Sequence, residues 1–337
     1  MAEANRVWRL RKRPVGEITD DVLSFEEEST PEPGRGEFLF RLNYLSLDPT
    51  NRVWMSDMDQ YMPPVELDAP MRGVVCGTIV KSYHRDYAEG TVVSGLGEWA
   101  DYQIGSPQLV RPIGDTGPVS VVEAFSTFAV VGPTAYFGLL DIGKPKEGET
   151  VVVSAAAGAV GSIVGQIAKI KGCYVVGIAG SREKCAWIYD DLGFDTAINY
   201  RTENVPKMLA AACPDGIDVY FDNVGGEILD TCLKLMNFKG RIPVCGLISQ
   251  YNVTAPVPGP CNYSMILTQR LRVEGFIVLD FVERYPEAIA ALGQWMAEGR
   301  IKVRIEIVDG LENALQTVKK LYTGANTGKL MIRVKDV

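Results

Sequence analysis

The chain has 337 residues, of which 47% are hydrophobic, and a formal net charge of −8. This length predicts two lobes, each with its own core, and the acidic charge argues against nucleic acid as a partner. No apolar signal-peptide region follows the basic N-terminal residues, and the uncharged run 151–168 contains the Gly, Ser and Gln of a buried strand and helix, so neither secretion nor a membrane span is expected.

Residues 1–128 predict an irregular, mostly antiparallel β-domain. Gly and Pro separate short runs of strand character such as 37–44 and 74–80. Near the other end of the chain, strands over 301–307 and 329–334 flank a predicted helix over 311–322, and we expect this segment to return to the β-domain. The predicted division is therefore 1–128 with 299–337 for the β-domain and 129–298 for a nucleotide-binding domain.

The stretch 151–161 predicts a phosphate-binding turn. A β-branched strand over 151–153 is followed by a Gly/Ala turn and then by a helix. Ala156, Gly158 and Gly161 reproduce the G-x-G-x-x-G spacing with alanine in the first place. Gly158 would let the backbone approach a pyrophosphate, and Gly161 would let the helix pack closely on the strand. We therefore predict that a dinucleotide binds at the helix N-terminus, on Gly158, Ala159, Val160 and Gly161.

The end of the next predicted strand, 172–180, indicates which dinucleotide binds. An NAD enzyme usually carries Asp or Glu there to bind the ribose 2′-hydroxyl. This chain instead has Gly180-Ser181-Arg182-Glu183-Lys184. The strand end carries no acid to repel a 2′-phosphate, and Ser181 and Lys184 offer a hydroxyl and a cation to bind one. We predict NADPH rather than NADH.

Strands and helices alternate from residue 150 onward. Further strands are predicted at 195–200, 217–224, 241–246 and 272–278, and helices at 183–192, 205–212 and 227–236. Six strands with intervening helices predict an α/β domain with a doubly wound parallel six-stranded sheet of the Rossmann type.

The residues of a zinc enzyme are missing. The one histidine, His84, lies in the polar segment 82–86, and the seven cysteines include no C-x-x-C pair. A tetrahedral zinc site requires several thiolates, imidazoles or carboxylates at one point, and no spacing here supplies them. We predict no metal site and no histidine-based proton relay. An odd number of unclustered cysteines is also typical of reduced thiols in a cytoplasmic protein.

A β-domain followed by a Rossmann domain resembles the medium-chain dehydrogenase/reductase superfamily. An ordered set of segments is similar to those of its zinc-free double-bond reductases, which include prostaglandin/leukotriene reductases, plant 2-alkenal reductases and bacterial curcumin reductases. The segments are 44–49 with Arg52, 155–161, 180–181 with Lys184, 199–200, 221–226, 245–251 and 324–329. The resemblance spans nearly the whole chain and implies a GroES-like irregular β-barrel domain, NADPH as cofactor, and a homodimer paired through the nucleotide-domain sheets.

The resemblance also implies roles for individual residues at the cofactor. Tyr200 would join Ser181 and Lys184 around the 2′-phosphate, and the loop 245–251 would line the path from adenosine to nicotinamide. The segment 276–278 would support the nicotinamide ring. The full set implied in this way is Tyr200, Asn223, Cys245, Gly246, Ile248, Ser249, Tyr251, Phe276, Ile277, Val278 and Asn326.

Without zinc or histidine, the predicted reaction is hydride addition to the β-carbon of an α,β-unsaturated ketone or aldehyde. This addition produces a delocalised enolate, whereas carbonyl reduction places the full charge on one oxygen that zinc or a close acid would have to stabilise. Hydrogen bonds from a tyrosine or from the ribose 2′-hydroxyl of the cofactor would stabilise the enolate oxygen, and water or the same hydroxyl would protonate the α-carbon. Tyr251 and Tyr61 are the candidate tyrosines. Many relatives carry tyrosine directly after Leu-Asp-Pro and before the last sheet strand, where this chain has Thr50 and Thr268, so the identity of the proton donor stays open.

Two other functions fit the same cofactor motifs. A quinone reductase of the zinc-free branch would use the same NADPH site on a conjugated dione. A non-catalytic NADPH-binding protein would bind the cofactor without turnover. Oxidation of the cofactor in the presence of an enone panel separates these hypotheses.

Overall fold

The computed structural model describes residues 4–58 and 60–337. Within them the strands are β1 Ala4–Leu10, β2 Leu23–Ser29, β3 Phe38–Leu47, β4 Arg72–Ser82, β5 Val92–Glu98, β6 Tyr102–Gly105, β7 Val110–Pro112, β8 Thr150–Val153, β9 Tyr174–Ala179, β10 Thr196–Asn199, β11 Ile217–Phe221, β12 Met236–Val244, β13 Arg272–Gly275, β14 Ile305–Asp309 and β15 Lys329–Arg333. The α-helices are α1 Thr50–Trp54, α2 Val121–Phe128, α3 Val131–Phe137, α4 Ala159–Ile170, α5 Arg182–Ala186, α6 Val205–Ala212, α7 Gly226–Leu235, α8 Ser264–Thr268, α9 Tyr285–Ala297 and α10 Ala314–Thr323. Short π-helical turns at Gly138–Gly143 and Trp187–Asp191 and 3₁₀ turns at Val278–Arg284 and Leu311–Asn313 complete the helical segments.

The chain divides into two compact units. One contains residues up to 129 together with 305–337, and the other contains 130–304. In the first unit, a seven-stranded sheet has β14, β15, β3, β4, β5 and β7 in that order, with β6 also paired to β3, and β1 and β2 form a separate antiparallel pair. Nine of the ten residues of β3 are buried, so both faces of this strand are covered, as in a barrel. This is the expected GroES-like β-domain.

The second unit is a Rossmann domain. Its six strands lie in the order β10, β9, β8, β11, β12, β13, and all five pairings are parallel. Strand order reverses beside β8, whose residues Val151, Val152 and Val153 are fully buried. All carboxyl ends meet at one edge of the sheet, where ligands bind in such folds. The predicted fold class is confirmed for both units.

Several element boundaries differ from the sequence-based prediction. The strand predicted at 241–246 begins already at Met236, directly after α7. The strand predicted at 301–307 begins only at Ile305, because Lys302 bonds elsewhere: its amide donates to the Gln166 side chain at 2.7 Å, and its carbonyl accepts from that side chain at 3.0 Å. Residues 299–304 therefore group with the Rossmann domain.

The described residues include no single helix that is both long and apolar enough to cross a membrane. The helices at 121–128 and 131–143 reach the length and apolar composition of a membrane span only when they are counted together, and the chain bends between them.

Candidate cofactor and active site

The turn after β8 has the form of a phosphate-binding site. Ala155 adopts φ +47°, which reverses the chain, and the Ala156 amide donates to Ile178 on β9 at 3.0 Å. Helix α4 then begins with Gly158 as its N-cap, and no side chain caps it. A Cβ on Gly161 would lie 2.4 Å from the Ala155 carbonyl oxygen, so the helix approaches the turn as closely as glycine allows. Uncapped amides at a twelve-residue helix N-terminus fit an anionic pyrophosphate.

The ends of β9 and β10 bring together the residues predicted for the 2′-phosphate. The Tyr200 amide donates to Ala179 at 3.0 Å, and a Cβ on Gly180 would lie 2.9 Å from the Tyr200 hydroxyl, so the ring covers this glycine. Next in the chain, the Ser181 hydroxyl accepts the Lys184 amide at 3.2 Å. Ser181, Lys184 and Tyr200 therefore belong to adjacent segments of one edge.

Two charged residues that were not predicted to bind cofactor join this cluster. The Arg201 guanidinium carbon lies 5.8 Å from the centre of the Tyr200 ring. Glu183 accepts from its own backbone amide and from the Ser181 hydroxyl, and these bonds hold the pKa of Glu183 below its usual range. The cluster thus contains an ionised carboxylate as well as cations.

Asn223 is held at the end of β11 by the end of β8. Its backbone amide donates to the Ser154 hydroxyl at 2.9 Å, and its side-chain amide donates to the Ser154 carbonyl at 2.8 Å. Its own carbonyl accepts the Ile248 amide at 3.4 Å. Asn223 therefore links the turn after β8 to the loop after β12.

The loop 245–251 is fixed by bonds to the turn after β11 and to itself. The Ser249 hydroxyl donates to the Val224 carbonyl at 2.6 Å. The Tyr251 hydroxyl accepts the Leu247 amide at 3.2 Å and lies 3.4 Å from the position of a Cβ on Gly246. The loop thus places the Tyr251 hydroxyl over its own backbone, beside Gly246 and close to the sheet edge.

Phe276, Ile277 and Val278 follow β13 at the same edge. The Phe276 ring contacts the Phe221 ring edge-on, with ring centroids 6.2 Å apart. It also fills the space beside Gly138, because a Cβ added to Gly138 would lie only 2.3 Å from the Phe276 ring. A 3₁₀ turn begins at Val278. The Phe276 side chain is thereby anchored in the Rossmann domain.

Tyr61 and Asn326 belong to the β-domain. The Tyr61 hydroxyl accepts the Trp54 indole N–H at 2.9 Å and lies 2.5 Å from the Thr50 hydroxyl. Loss of solvent at the hydroxyl raises the pKa of Tyr61 although 43% of the residue is exposed. Asn326 donates to the Gly328 carbonyl at 3.2 Å and so closes its own turn before β15.

Three residues near the candidate site, Ser154, Asp222 and Arg201, were not predicted from the sequence. Ser154 and Asp222 lie inside the quoted motifs, and they join the ends of β8 and β11 through side-chain hydrogen bonds. Short polar side chains directly after buried strands were the available signal, since such positions face the ligand edge of a parallel sheet. Arg201 had a weaker signal, its place next to Tyr200.

The described residues contain no group of three or more His, Cys, Asp or Glu side chains that could hold a metal ion. His84 packs edge-on against Tyr87 at 5.0 Å, and its ring nitrogen accepts the Asp86 amide at 3.2 Å, a local surface turn.

Comparison with known proteins identifies the family. The family described as "N-terminal domain of oxidoreductase" matches residues 6–113, and "Zinc-binding dehydrogenase" matches residues 159–294. The chain is 45% identical to "NADPH-dependent curcumin reductase" of Escherichia coli (strain K12) over 98% of its length and 97% of the relative. The chain belongs to the zinc-independent double-bond reductases of the medium-chain dehydrogenase/reductase superfamily. A second relative of this branch, "Prostaglandin reductase 1" of Rattus norvegicus, is 40% identical over 97% of this chain and 98% of that one.

Solved structures agree with this assignment. CurA from Vibrio vulnificus in complex with NADPH matches this reductase with a TM-score of 0.94 and 42% identity over 98% of this chain and 100% of that chain. Escherichia coli quinone oxidoreductase with NADPH has a TM-score of 0.78 at 22% identity, covers 98% and 100% of the two chains, and shows the fold alone. The family and cofactor predictions are confirmed: the protein is an NADPH-dependent oxidoreductase.

Proposed function

We propose that this reductase uses NADPH to reduce the C=C bond of α,β-unsaturated ketones and aldehydes. The observation that carries the proposal is the 45% identity, along 98% of the chain, to a relative named for an enone substrate, curcumin. The chemistry of the described residues agrees, because they offer tyrosine hydroxyls that can donate hydrogen bonds. An enolate needs only hydrogen-bond donors for stabilisation.

The cofactor would be held by the edge of the Rossmann sheet. The turn 158–161 would bind the pyrophosphate. The 2′-phosphate would be bound by Ser181, Lys184 and Tyr200, with Arg201 as a further cation. Asn223 and the loop 245–251 would bind the rest of the cofactor, up to the nicotinamide ring at 276–278. When bound, NADPH supplies the hydride that adds to the substrate β-carbon. The protein's part is to orient the enone and to donate a hydrogen bond to its oxygen.

Tyr61 is the better-supported donor. An indole N–H can only donate, so the Tyr61 oxygen accepts from Trp54, and its own proton is directed toward Thr50 or a ligand. A tyrosine is protonated near neutral pH, as a donor must be, and loss of solvent raises the pKa of Tyr61 further. The Thr50 side chain contacts the Tyr61 hydroxyl. Tyr251 is the second candidate, since its oxygen accepts the Leu247 amide in a fixed orientation.

Asn326 would bind the cofactor phosphates or ribose through its side-chain oxygen.

The test is NADPH consumption with an enone, an enal, a quinone and a saturated aldehyde in parallel, with product analysis. We expect turnover of the enone and enal to the saturated carbonyl compounds. Turnover of the quinone alone would make the protein a quinone reductase. Tight NADPH binding without turnover of any of the four would make it a non-catalytic binder. Either outcome overturns the proposal.

We infer that two copies pair through the outer edge of the Rossmann sheet. Strand β13 is the last strand on that side, and apolar side chains around it are exposed, among them Val273 at 41% and Leu267 on α8 at 79%. An unpaired strand edge with apolar neighbours is a surface for self-association.

Light scattering should give the mass of a dimer for the wild-type protein. The double variant Val273→Lys with Leu267→Glu should give the mass of a monomer. Leu109→Lys, at an exposed leucine of the β-domain, is the control. A monomeric wild type contradicts the inference.

A further inference from the structure

We propose that Asp222 is a positioning residue whose buried carboxyl group holds the cofactor-binding segments of this reductase together at the sheet edge. The proposal rests on the cofactor site described under the proposed function. It concerns binding of NADPH rather than the identity of the substrate.

The Asp222 side chain gathers donors from three segments onto one oxygen. Asp222 is fully buried. Oδ1 accepts the Tyr220 hydroxyl at 2.7 Å, the Val224 amide at 2.9 Å and the Gly225 amide at 2.8 Å. The Ser154 hydroxyl lies 3.4 Å from Oδ1 and 3.4 Å from the Phe221 carbonyl oxygen, and its one proton is shared between them. These bonds fix the turn between β11 and α7 and tie it to the end of β8. Gly225 and Gly226 have φ values of +71° and +58°, so the turn adopts a conformation that needs such anchoring.

The backbone of Asp222 extends the same network to β12. Its amide donates to the Pro243 carbonyl at 2.9 Å, and its carbonyl accepts the Cys245 amide at 2.8 Å and the Gly246 amide at 3.2 Å. The Ser154 hydroxyl, which contacts the carboxyl group, also accepts the Asn223 amide at 2.9 Å. One residue thus connects the turn after β8, the Asn223 turn and the start of the loop 245–251.

The two carboxyl oxygens of Asp222 differ in their surroundings, since the donors all lie at Oδ1. Among the described residues Oδ2 has no hydrogen-bond partner. A buried carboxylate oxygen without a donor is costly, and burial raises the pKa of Asp222. The titratable groups nearby are neutral near pH 7, because burial raises the pKa values of Tyr220, Cys232 and Cys245. An asparagine at 222 would offer the same acceptor oxygen to the same donors.

Direct titration of NADPH without substrate tests the role. Asp222→Ala should weaken NADPH binding at least about tenfold, whereas Asp222→Asn should stay within about threefold of wild type. Hydrogen exchange of the cofactor-free protein should be faster over 223–226 in Asp222→Ala and not in Asp222→Asn.

The matched control is at the opposite end of the same strand. Asp218 accepts the Thr150 amide at 2.9 Å and the Asn237 side chain at 2.9 Å, at the amino edge of the sheet. Asp218→Ala should lower thermal stability and leave NADPH affinity unchanged. If Asp222→Ala does not fold, Ser154→Ala replaces it, with an expected loss of about three- to tenfold in affinity.

Wild-type NADPH affinity in a folded Asp222→Ala protein, or equal losses in Asp218→Ala and Asp222→Ala, would overturn the proposal. Wild-type affinity in Ser154→Ala, where that variant replaces it, would do the same. These results are independent of the enone assay, because binding is measured without substrate. If the Asp222 variants bind NADPH as expected but the protein reduces no enone, only the proposed function is contradicted.

Discussion

At the scale of single residues, we propose Tyr61 as the hydrogen-bond donor to the substrate oxygen. Its hydroxyl accepts from Trp54 and contacts Thr50, and loss of solvent raises the pKa of Tyr61. Removal of one such donor from a developing oxyanion costs about 3 kcal/mol. We therefore expect Tyr61→Phe to lower kcat for enone reduction about 100-fold while NADPH affinity stays unchanged. Stopped-flow turnover with saturating NADPH measures this. Tyr251→Phe is the comparison variant, and a larger loss there would transfer the donor role to Tyr251.

Lys184 should decide between NADPH and NADH. A charge-assisted hydrogen bond to a phosphate is worth about 1.5–3 kcal/mol, which corresponds to about 10- to 100-fold in affinity. We expect Lys184→Ala to raise KM for NADPH by this factor and to leave KM for NADH unchanged. Steady-state kinetics with both cofactors give the comparison, and Lys207→Ala, at an exposed lysine of α6, is the control. Equal effects on NADH and NADPH would remove Lys184 from the 2′-phosphate site.

At the scale of elements, close packing of α4 on the sheet depends on glycine. A Cβ on Gly165 would lie 1.8 Å from the ring of Phe194, which is buried at 2% exposure and also lies against Gly177 of β9. Overpacking of this kind costs about 1–3 kcal/mol. We expect Gly165→Ala to lower the free energy of unfolding by that amount in urea titrations. Gly259→Ala, where no atom lies within 4 Å of the added Cβ, should leave it nearly unchanged. A neutral Gly165→Ala would show that Phe194 repacks freely.

The prediction of elements from sequence succeeded where the signal is local. The strand, turn and helix over 151–170 and the helix 205–212 follow from hydrophobic periodicity and caps, and α6 starts behind an asparagine that caps it. The start of β12 was missed because Met236 pairs with Ile217 of β11, a contact distant in sequence.

At the scale of the whole molecule, thiol reactivity reports how the cysteines are distributed. All seven are free and described, and only Cys261 is exposed. Burial raises the pKa of Cys76, Cys213 and Cys245 to about 12 and that of Cys173 to about 11, so their reactive thiolate forms are rare near pH 8. We expect a disulfide reagent to modify one thiol rapidly in the native protein and seven after denaturation. Cys261→Ser should abolish the fast phase, and three or more fast thiols would contradict this arrangement.

The amino-acid sequence by itself determined the family, the cofactor and the two-domain architecture. These properties depend on local patterns: the Gly158–Gly161 turn, the lack of an Asp or Glu directly at the end of the second strand, where NAD enzymes usually carry one, and the order of β and βα segments. Each pattern has a physical cause within a few residues, such as the close approach of backbone to phosphate or the alternation of buried positions, and so it can be read without the fold.

Only the tertiary structure decided how the candidate site residues are held. The contact of Thr50 with Tyr61, the Gly180–Tyr200 packing and the donors on Asp222 join residues from different elements. The assignment of 299–304 to the Rossmann domain likewise depends on Gln166, 136 residues away from Lys302. Such contacts leave no periodic trace in the sequence, because hydrogen bonds between side chains distant in the chain depend on where the strands bring them.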